Sequence, residues 1–328
     1  MTFVRRCVYT LLISATTALT ANAQVEFHSI GTLPGGTYSV LTDVSDDGYV
    51  VVGYADVAGG THLVRWSIDA GLTDLGTLSG YRSTFGAAIS GDGFSIVGTA
   101  GDPELEDAPN SRAIRWSAAE GIIALGGVAA EQDSIAADIN SDGTVMVGGG
   151  YVSGSFHAVR WNSTGSFATL PEIGLGNSGA AAVSADGQIV AGNETFVIGP
   201  PVFTGPQSVR WSGSGSQNLG VLDADKRSYA SAITGDGTTV VGHYNTLSGR
   251  EFAYRWSANT GLAPLPHPDN TNYHIPTAIS DDGRKIVGHL STDEGEIYAF
   301  LFTPEFGTID LNRYLPMLGI DLTGWNLT

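Results

Sequence analysis

The sequence predicts an all-β fold assembled from repeated four-strand units. Three observations carry that expectation. A turn motif recurs six times along the 328 residues, an Arg-Trp pair follows five of its copies, and a Gly-to-Leu segment follows each copy in turn. The turn motif reads small residue or Asp, Ile/Val, Ser/Thr/Asn, any residue, Asp-Gly, then a short apolar run ending in Gly. Its copies run from Asp43 to Gly53, Ala88 to Gly98, Asp138 to Gly148, Ala182 to Gly192, Ala232 to Gly242 and Ala278 to Gly288. Their Asp-Gly glycines (Gly48, Gly93, Gly143, Gly187, Gly237 and Gly283) are 45, 50, 44, 50 and 46 residues apart, a regularity that marks a repeat architecture.

Each element is justified in chain order. Strand a ends in the Ala-Ile-Ser segment. The Asp-Gly pair then supplies a hairpin turn, because Gly accepts a positive φ and Asp caps the turn backbone. Strand b is the Ile-Val-Gly segment. Strand c ends in Arg65-Trp66, Arg115-Trp116, Arg160-Trp161, Arg210-Trp211 and Arg255-Trp256, with Leu301-Phe302 in the sixth copy. A Gly-bearing turn leads to strand d, as in Gly71 to Gly76, Gly121 to Gly126, Gly215 to Gly220 and Gly261 to Leu265, with looser versions at Gly165–Leu170 and Gly307–Leu311. Four short strands in about 45 residues match one blade of a β-propeller. The expectation is therefore a β-propeller of about six four-stranded blades, with a solenoid or sandwich array as the alternative, because periodicity alone does not fix closure. The units fall near 34–78, 79–128, 129–172, 173–222, 223–266 and 267–312. Residues 313–328 read as the run-in to a further, partial blade, and Phe27 to Leu33 carries a d-strand signature with no a, b or c strand before it.

Composition sets the class. Hydrophobic residues make up 42% and charged residues 15%, which is core-forming and not disordered composition. The 45 Gly follow no triplet period, which excludes collagen. Arg5 and Arg6, the apolar Cys7–Leu19 stretch and Ala21-Asn22-Ala23 form the three parts of a secretory signal. Cleavage is expected after Ala23, leaving 24–328 as one domain, secreted to the periplasm or beyond, with no remaining membrane span. The mature chain then carries no Cys, and its formal charge moves from −18 to −20 with the loss of two Arg. That charge repels phosphate backbones, so nucleic acid is excluded as a partner.

Several of these residues resemble the HAF extracellular repeat family: Leu75-Gly-Thr-Leu78, Val51-Val-Gly53, Thr61-His-Leu-Val-Arg-Trp66 and Phe156-His-Ala-Val-Arg-Trp161. The resemblance covers most of residues 25–311. It implies a secreted repeat protein and says little about activity. The Ser-x-Asp-Gly turn is also similar to that of TolB-type propellers.

The repeated residues are read first as structural. The five strand-c Arg (Arg65, Arg115, Arg160, Arg210 and Arg255) are expected to reach the turn carboxylates Asp47, Asp92, Asp142, Asp186 or Asp236, in their own or a neighbouring blade, with Asp282 as the structural turn residue of the sixth copy. Their Trp neighbours (Trp66, Trp116, Trp161, Trp211 and Trp256) are expected to pack between blades. The ligand candidates are the positions that break the repeat. Asp43 and Asp138 stand where the other copies have Ala, on the strand that lines a propeller's channel. Asp102, Glu104 and Asp107 sit in an acidic b–c loop, and Tyr273 and His274 in a loop at 267–274. Function on repeat scaffolds sits on such variable loops. No catalytic, cofactor or metal motif is present: no His-Glu-x-x-His, no nucleophile elbow and no P-loop. Two functions are compatible with this pattern. The first is a non-catalytic scaffold that binds a protein or glycan; the second is a polysaccharide hydrolase or lyase that uses channel-mouth carboxylates.

Overall fold

The computed structural model of the chain describes residues 28–102, 111–126, 132–197, 204–213, 215–222 and 227–328. These form 24 strands and one short helix, in four four-stranded antiparallel sheets and one eight-stranded sheet. The strands run in six successive groups of four, at 39–76, 84–124, 134–169, 178–218, 228–264 and 271–310. Each group is one unit, with strands a to d in chain order. Units five and six share the eight-stranded sheet through one parallel pair, Glu251 with Tyr273.

The turn between strands a and b shows why the motif needs its residue types. In unit one the Gly48 N–H donates to Ser45 O (2.8 Å) and Gly48 takes φ +77°. The Ser45 hydroxyl donates to Asp47 Oδ1 (2.6 Å), which also accepts the Tyr49 N–H (3.0 Å). Ser45 Oγ in turn accepts the Val50 N–H (3.1 Å). The same hydroxyl-plus-carboxylate lock recurs at Ser90/Asp92, Ser184/Asp186, Thr234/Asp236 and Ser280/Asp282, while Asn140 Oδ1 accepts the Val145 N–H in unit three. The hydroxyl or amide position is thus as much part of the turn as the Asp-Gly.

The glycine inside strand b has a different cause. Strand a carries a bulge opposite it, seen as a register shift between Leu41 and Asp43 in unit one. A Cβ on Gly53 would lie 1.9 Å from Val40 O, and one on Gly148 would lie 2.1 Å from Ile135 O. Only Gly lets the strands approach this closely.

The cores lie between units. Leu63, Ile96 and Ile114 join units one and two; Val97, Met146 and Trp161 join two and three; Val147, Val190 and Trp211 join three and four. Ala191, Tyr254 and Trp256 join four and five; Val241, Leu290 and Phe300 join five and six. Strand a of each unit stands beside strand a of the next. A hydroxyl links several of the interfaces, where Ala113, Ala158 and Ser208 N–H groups donate to Ser134, Ser178 and Ser228 Oγ of the following unit.

The two outer faces are covered by flanking chain. Among the described residues no apolar cluster joins unit six to unit one. Leu33 packs instead on Ala55 and Val64 of unit one, and His28 lies 6.2 Å from the Trp66 ring. The residues 28–33 form no strand, yet Ser39 Oγ donates to Gly31 O (2.7 Å) as Ser228 Oγ donates to Gly220 O (3.1 Å). They therefore sit where the end of a preceding unit would. On unit six, α1 (Leu311–Met317) and the tail to 328 bury Leu311, Leu315, Ile320 and Leu327 against Ala299 and Leu301. The Ala299 N–H donates to Leu327 O (2.8 Å), in the place where other units use the next unit's Ser. The expected run-in to a further strand a at 313–328 is thus corrected: these residues are helix and irregular tail. Asp310 caps the helix by accepting the Asn312 N–H (2.8 Å), and Leu311 and Leu315 give it an apolar face.

Candidate functional site: the inner channel and the last unit

At one end of the channel the a–b turns link to one another. Asp46 N–H donates to Gly91 O (3.1 Å), Asp92 to Ser141 O (3.0 Å), Ser141 to Ala185 O (3.3 Å) and Ala185 to Gly235 O (2.9 Å). The Gly235 N–H completes the series on Asp281 Oδ1 (3.2 Å). A polar cavity of about 170 Å³ lies inside this rim, lined by Asp43, Asp46, Asp138, Ser141, Gly235 and Asp281. Asp46 of unit one and Asp281 of unit six thus line the same cavity, although among the described residues no apolar cluster joins the two units.

The sequence pattern places Asp43 and Asp138 in the channel, and both line this cavity. Each is tied to backbone. Asp43 Oδ2 accepts the Ile89 N–H (2.8 Å) of unit two; Asp138 Oδ2 accepts the Val183 N–H (2.7 Å) of unit four and its Oδ1 the Ile139 N–H (2.8 Å). Burial raises the Asp43 carboxyl to about 6, against the hydrogen bonds from Ile89 and Val44. Burial and then the charge of Asp43 raise Asp138 to about 7. Asp46 is raised by burial and by Asp281, Asp47 and Asp92. The arrangement holds protons near neutral pH and staples adjacent units together.

The repeated Arg and Trp divide. Trp161 Nε1 donates to Gly126 O (2.9 Å) and Trp211 Nε1 to Pro171 O (2.8 Å), each in the preceding unit; Trp116 and Trp256 also pack at unit interfaces. Trp66 faces the segment before unit one. Arg210 and Arg115 do reach the next unit, but there they bond carbonyls and not turn carboxylates. Arg210 Nε donates to Gly237 O (3.1 Å) and Arg115 Nη1 to Ser163 O (2.6 Å), while Arg115 Nη2 pairs with Glu120 of its own unit. Arg160 lowers the Asp186 carboxyl as the weakest of its influences, and Arg255 lies over Gly283. The turn carboxylates already accept from their own Ser or Thr hydroxyl and backbone N–H groups through Oδ1, while the Arg side chains find carbonyls within reach. Arg65 forms no ion pair with a turn carboxylate among the described residues.

The loop-face candidates fare differently. Asp102 is buried and accepts the Arg82 N–H (2.9 Å), so it closes a loop and does not present itself to a ligand. Asp56 does the same for Thr37 and Tyr38, and Glu194 for Ile173 and Gly174. Glu104 and Asp107 lie outside the described residues. His274 is corrected from loop to core: it sits in strand a of unit six (Thr271–Ile279), fully buried, 4.4 Å from the Phe300 ring. Burial pushes it down to about 3, with His267 and His289 adding, so it is neutral. Tyr273, one residue earlier, points outward and is 38% exposed. His62 pairs with Asp74 (2.9 Å) and His157 with Glu172 (2.8 Å). Among the described residues no three His, Cys, Asp or Glu are grouped to hold a metal ion.

A second cavity, of about 440 Å³, lies between unit six and α1, where no sequence motif points to one. Its wall includes Asn270, Glu296, Tyr298, Asp310, Arg313 and Tyr314. The last three come from the stretch where the repeat pattern stops. The available signal is that departure from pattern: Asp310 as an N-cap ahead of the Leu311, Tyr314, Leu315 spacing.

No protein-family model matches the sequence, and no curated protein does either. Solved structures do match, and they define the class: the fold is that of β-propeller proteins. TolB from Acinetobacter baumannii aligns with a TM-score of 0.54 at 14% identity, over 79% of this chain and 62% of that one. This chain thus spans less than two thirds of that TolB's length. An oligogalacturonate lyase from Vibrio parahaemolyticus aligns with a TM-score of 0.57 at 13% identity, over 82% of this chain and 76% of that one. The propeller domain of the Trilobed protease from Pyrococcus furiosus, described as having an open velcro topology, gives 0.54 at 12% identity over 85% and 82%. Proteins named as a TolB, a lyase and a protease share this architecture, so the likeness speaks to fold alone.

Proposed function

We propose that the chain is an exported, non-catalytic six-bladed propeller that serves as a binding scaffold for a protein or glycan. Residues 1–23 act as its secretion signal, and its repeats are of the HAF type. The observation that carries this reading is the state of the channel carboxylates. Asp43 and Asp138, the best-placed acids for hydrolysis or elimination, both accept backbone N–H groups of the next unit at 2.7–2.8 Å. A general acid or base needs an oxygen directed at its substrate, and Asp43 Oδ2 and both oxygens of Asp138 are instead bonded to the scaffold. The count of six blades rests on the six four-strand groups, with the flanking segments standing in for the missing neighbours.

The alternative, a polysaccharide hydrolase or lyase, draws support from the same pair: carboxyls held at about 6 and about 7 in one cavity are poised for proton transfer near neutral pH. One experiment separates the two. The full mature chain is incubated with a panel of soluble polysaccharides, and both retention and chain cleavage are followed. Retention without new chain ends is the expected result. Cleavage that disappears in Asp43→Asn and Asp138→Asn would install the enzyme in place of the scaffold.

A further inference from the structure

We propose that the cavity between unit six and α1 is a saccharide-binding site for neutral, hydroxyl-rich glycans. This rests on the scaffold reading and gives it a location and a ligand class.

The cavity differs from the channel in what its polar groups are doing. At the channel rim the carboxylates accept backbone donors. Here the Glu296 carboxylate and the Asn270 side-chain amide, both exposed at the cavity wall, bond no other group among the described residues. Glu296 engages the protein through its main chain, where its N–H donates to Thr292 Oγ1 (3.3 Å). Asp310 keeps Oδ1 on the Asn312 N–H and faces Arg313 Nε at 3.5 Å with Oδ2. Tyr298 and Tyr314 are half-buried and bring aromatic surface to the same space. The volume of about 440 Å³ lies within the range of about 300–1,000 Å³ usual for small-molecule sites.

The ligand class is set by this inventory. Ionised carboxylates are acceptors only, so a ligand must bring donors, and a ring of hydroxyls does. An amide beside them both donates and accepts, as adjacent hydroxyls require. Tyrosine faces suit the apolar C–H face of a pyranose, because the ring carries a large apolar surface with a polar handle at one end. Two carboxylates beside one Arg leave the site net negative, and Arg313 is 88% exposed. An anionic ligand such as a uronate or phosphate would therefore meet repulsion. The cavity lies where the repeat ends. The five other units pack this flank against a following unit, whereas unit six meets α1, which supplies Arg313, Tyr314 and Met317.

The test uses the full mature chain with four probes: cellotriose, maltotriose, xylotriose and trigalacturonate, measured by calorimetry and by ligand-observed NMR. At least one neutral trisaccharide should bind, and trigalacturonate should bind at least tenfold more weakly. Tyr298→Ala and Glu296→Gln should each weaken the neutral probe by about tenfold or more. Tyr298→Phe should retain most of the binding, because it keeps the ring face. Tyr49→Ala, on an exposed a–b turn far from α1 in sequence, should change nothing. Thermal melts of each variant separate loss of binding from loss of fold. If none of the neutral probes binds, if trigalacturonate binds best, or if folded Tyr298→Ala and Glu296→Gln bind as the parent does, the proposal is overturned. The broader reading fails separately. A chain that retains some glycan or protein through another surface, unaffected by these variants, remains a scaffold without this site; a chain that retains nothing is not a scaffold.

Discussion

Units two to five and units one and six are built from the same motif but face different neighbours. An inner unit packs both sheet faces against near-copies of itself. Unit one meets residues 28–33 on its outer side, and unit six meets α1 and the tail. Trp161 and Trp66 occupy the same repeat position. Trp161 is fully buried in the contact of units two and three with its indole N–H on Gly126 O, while Trp66 is partly exposed and has a histidine ring for company. The comparison separates what the repeat supplies from what the ends supply. Repeated residues build interfaces, and side chains left over for other work collect where the repetition stops.

The largest expected effect tests this directly. Trp161→Ala should lower unfolding free energy by about 3–5 kcal/mol, as for other buried aromatic truncations, and Trp66→Ala by roughly half as much. Equal losses in urea titrations would erase the distinction between inner and outer units. Next is the strand-b glycine. Gly148→Ala drives a methyl into Ile135 O and should cost about 2–3 kcal/mol. Gly71→Ala, at φ +65° but with open space around it, should cost only about 1 kcal/mol through backbone strain. Similar midpoints for the two would mean that the bulge relaxes.

A third effect concerns the channel acids, present in units one and three and replaced by Ala elsewhere. Both carboxyls have folded pKa values above the ordinary one, at about 6 and about 7. The folded state therefore holds protons that the unfolded chain releases. That stabilisation is full below about pH 4 and is lost as pH rises through 6 to 7. The melting temperature should fall between pH 5 and pH 8 as the two carboxyls release their protons. The double variant Asp43→Asn, Asp138→Asn should flatten that slope, and an unchanged slope would locate the titrating groups elsewhere. The smallest effect is Arg210→Lys, which removes the Nε–Gly237 O bond and should cost about 1 kcal/mol. No change in the melt would leave the Arg preference at that position unexplained.

Legibility in the sequence divides along the same line. The turns, the order of strands and the place of Asp43 and Asp138 in the channel are all visible there, because six copies average away local ambiguity. The Arg positions suggest ion pairs because a pattern displays residue types and not the partners they find. Ser45 and its equivalents already occupy the turn carboxylates, leaving backbone carbonyls for Arg210 and Arg115. His274 reads as a loop residue because strand a of unit six, nine residues long, starts earlier than the six-residue strand a of the other units. Its extra length comes with the parallel pair to Glu251, a long-range contact that local pattern does not encode. The helix at 311–317 escapes the pattern for the opposite reason. It is seven residues long, contains Pro316, and occurs once.

The covered outer faces also bear on how separate molecules behave towards each other. Successive units join head to tail through unlike surfaces, and such a contact, once offered between chains, gives a ring where its rotation closes and an open filament where it does not. Leu33 at one edge, and Leu311, Leu315 and Leu327 at the other, occupy the surfaces through which a second molecule would add. The flanking segments therefore withhold apolar surface at both edges from other copies of the chain.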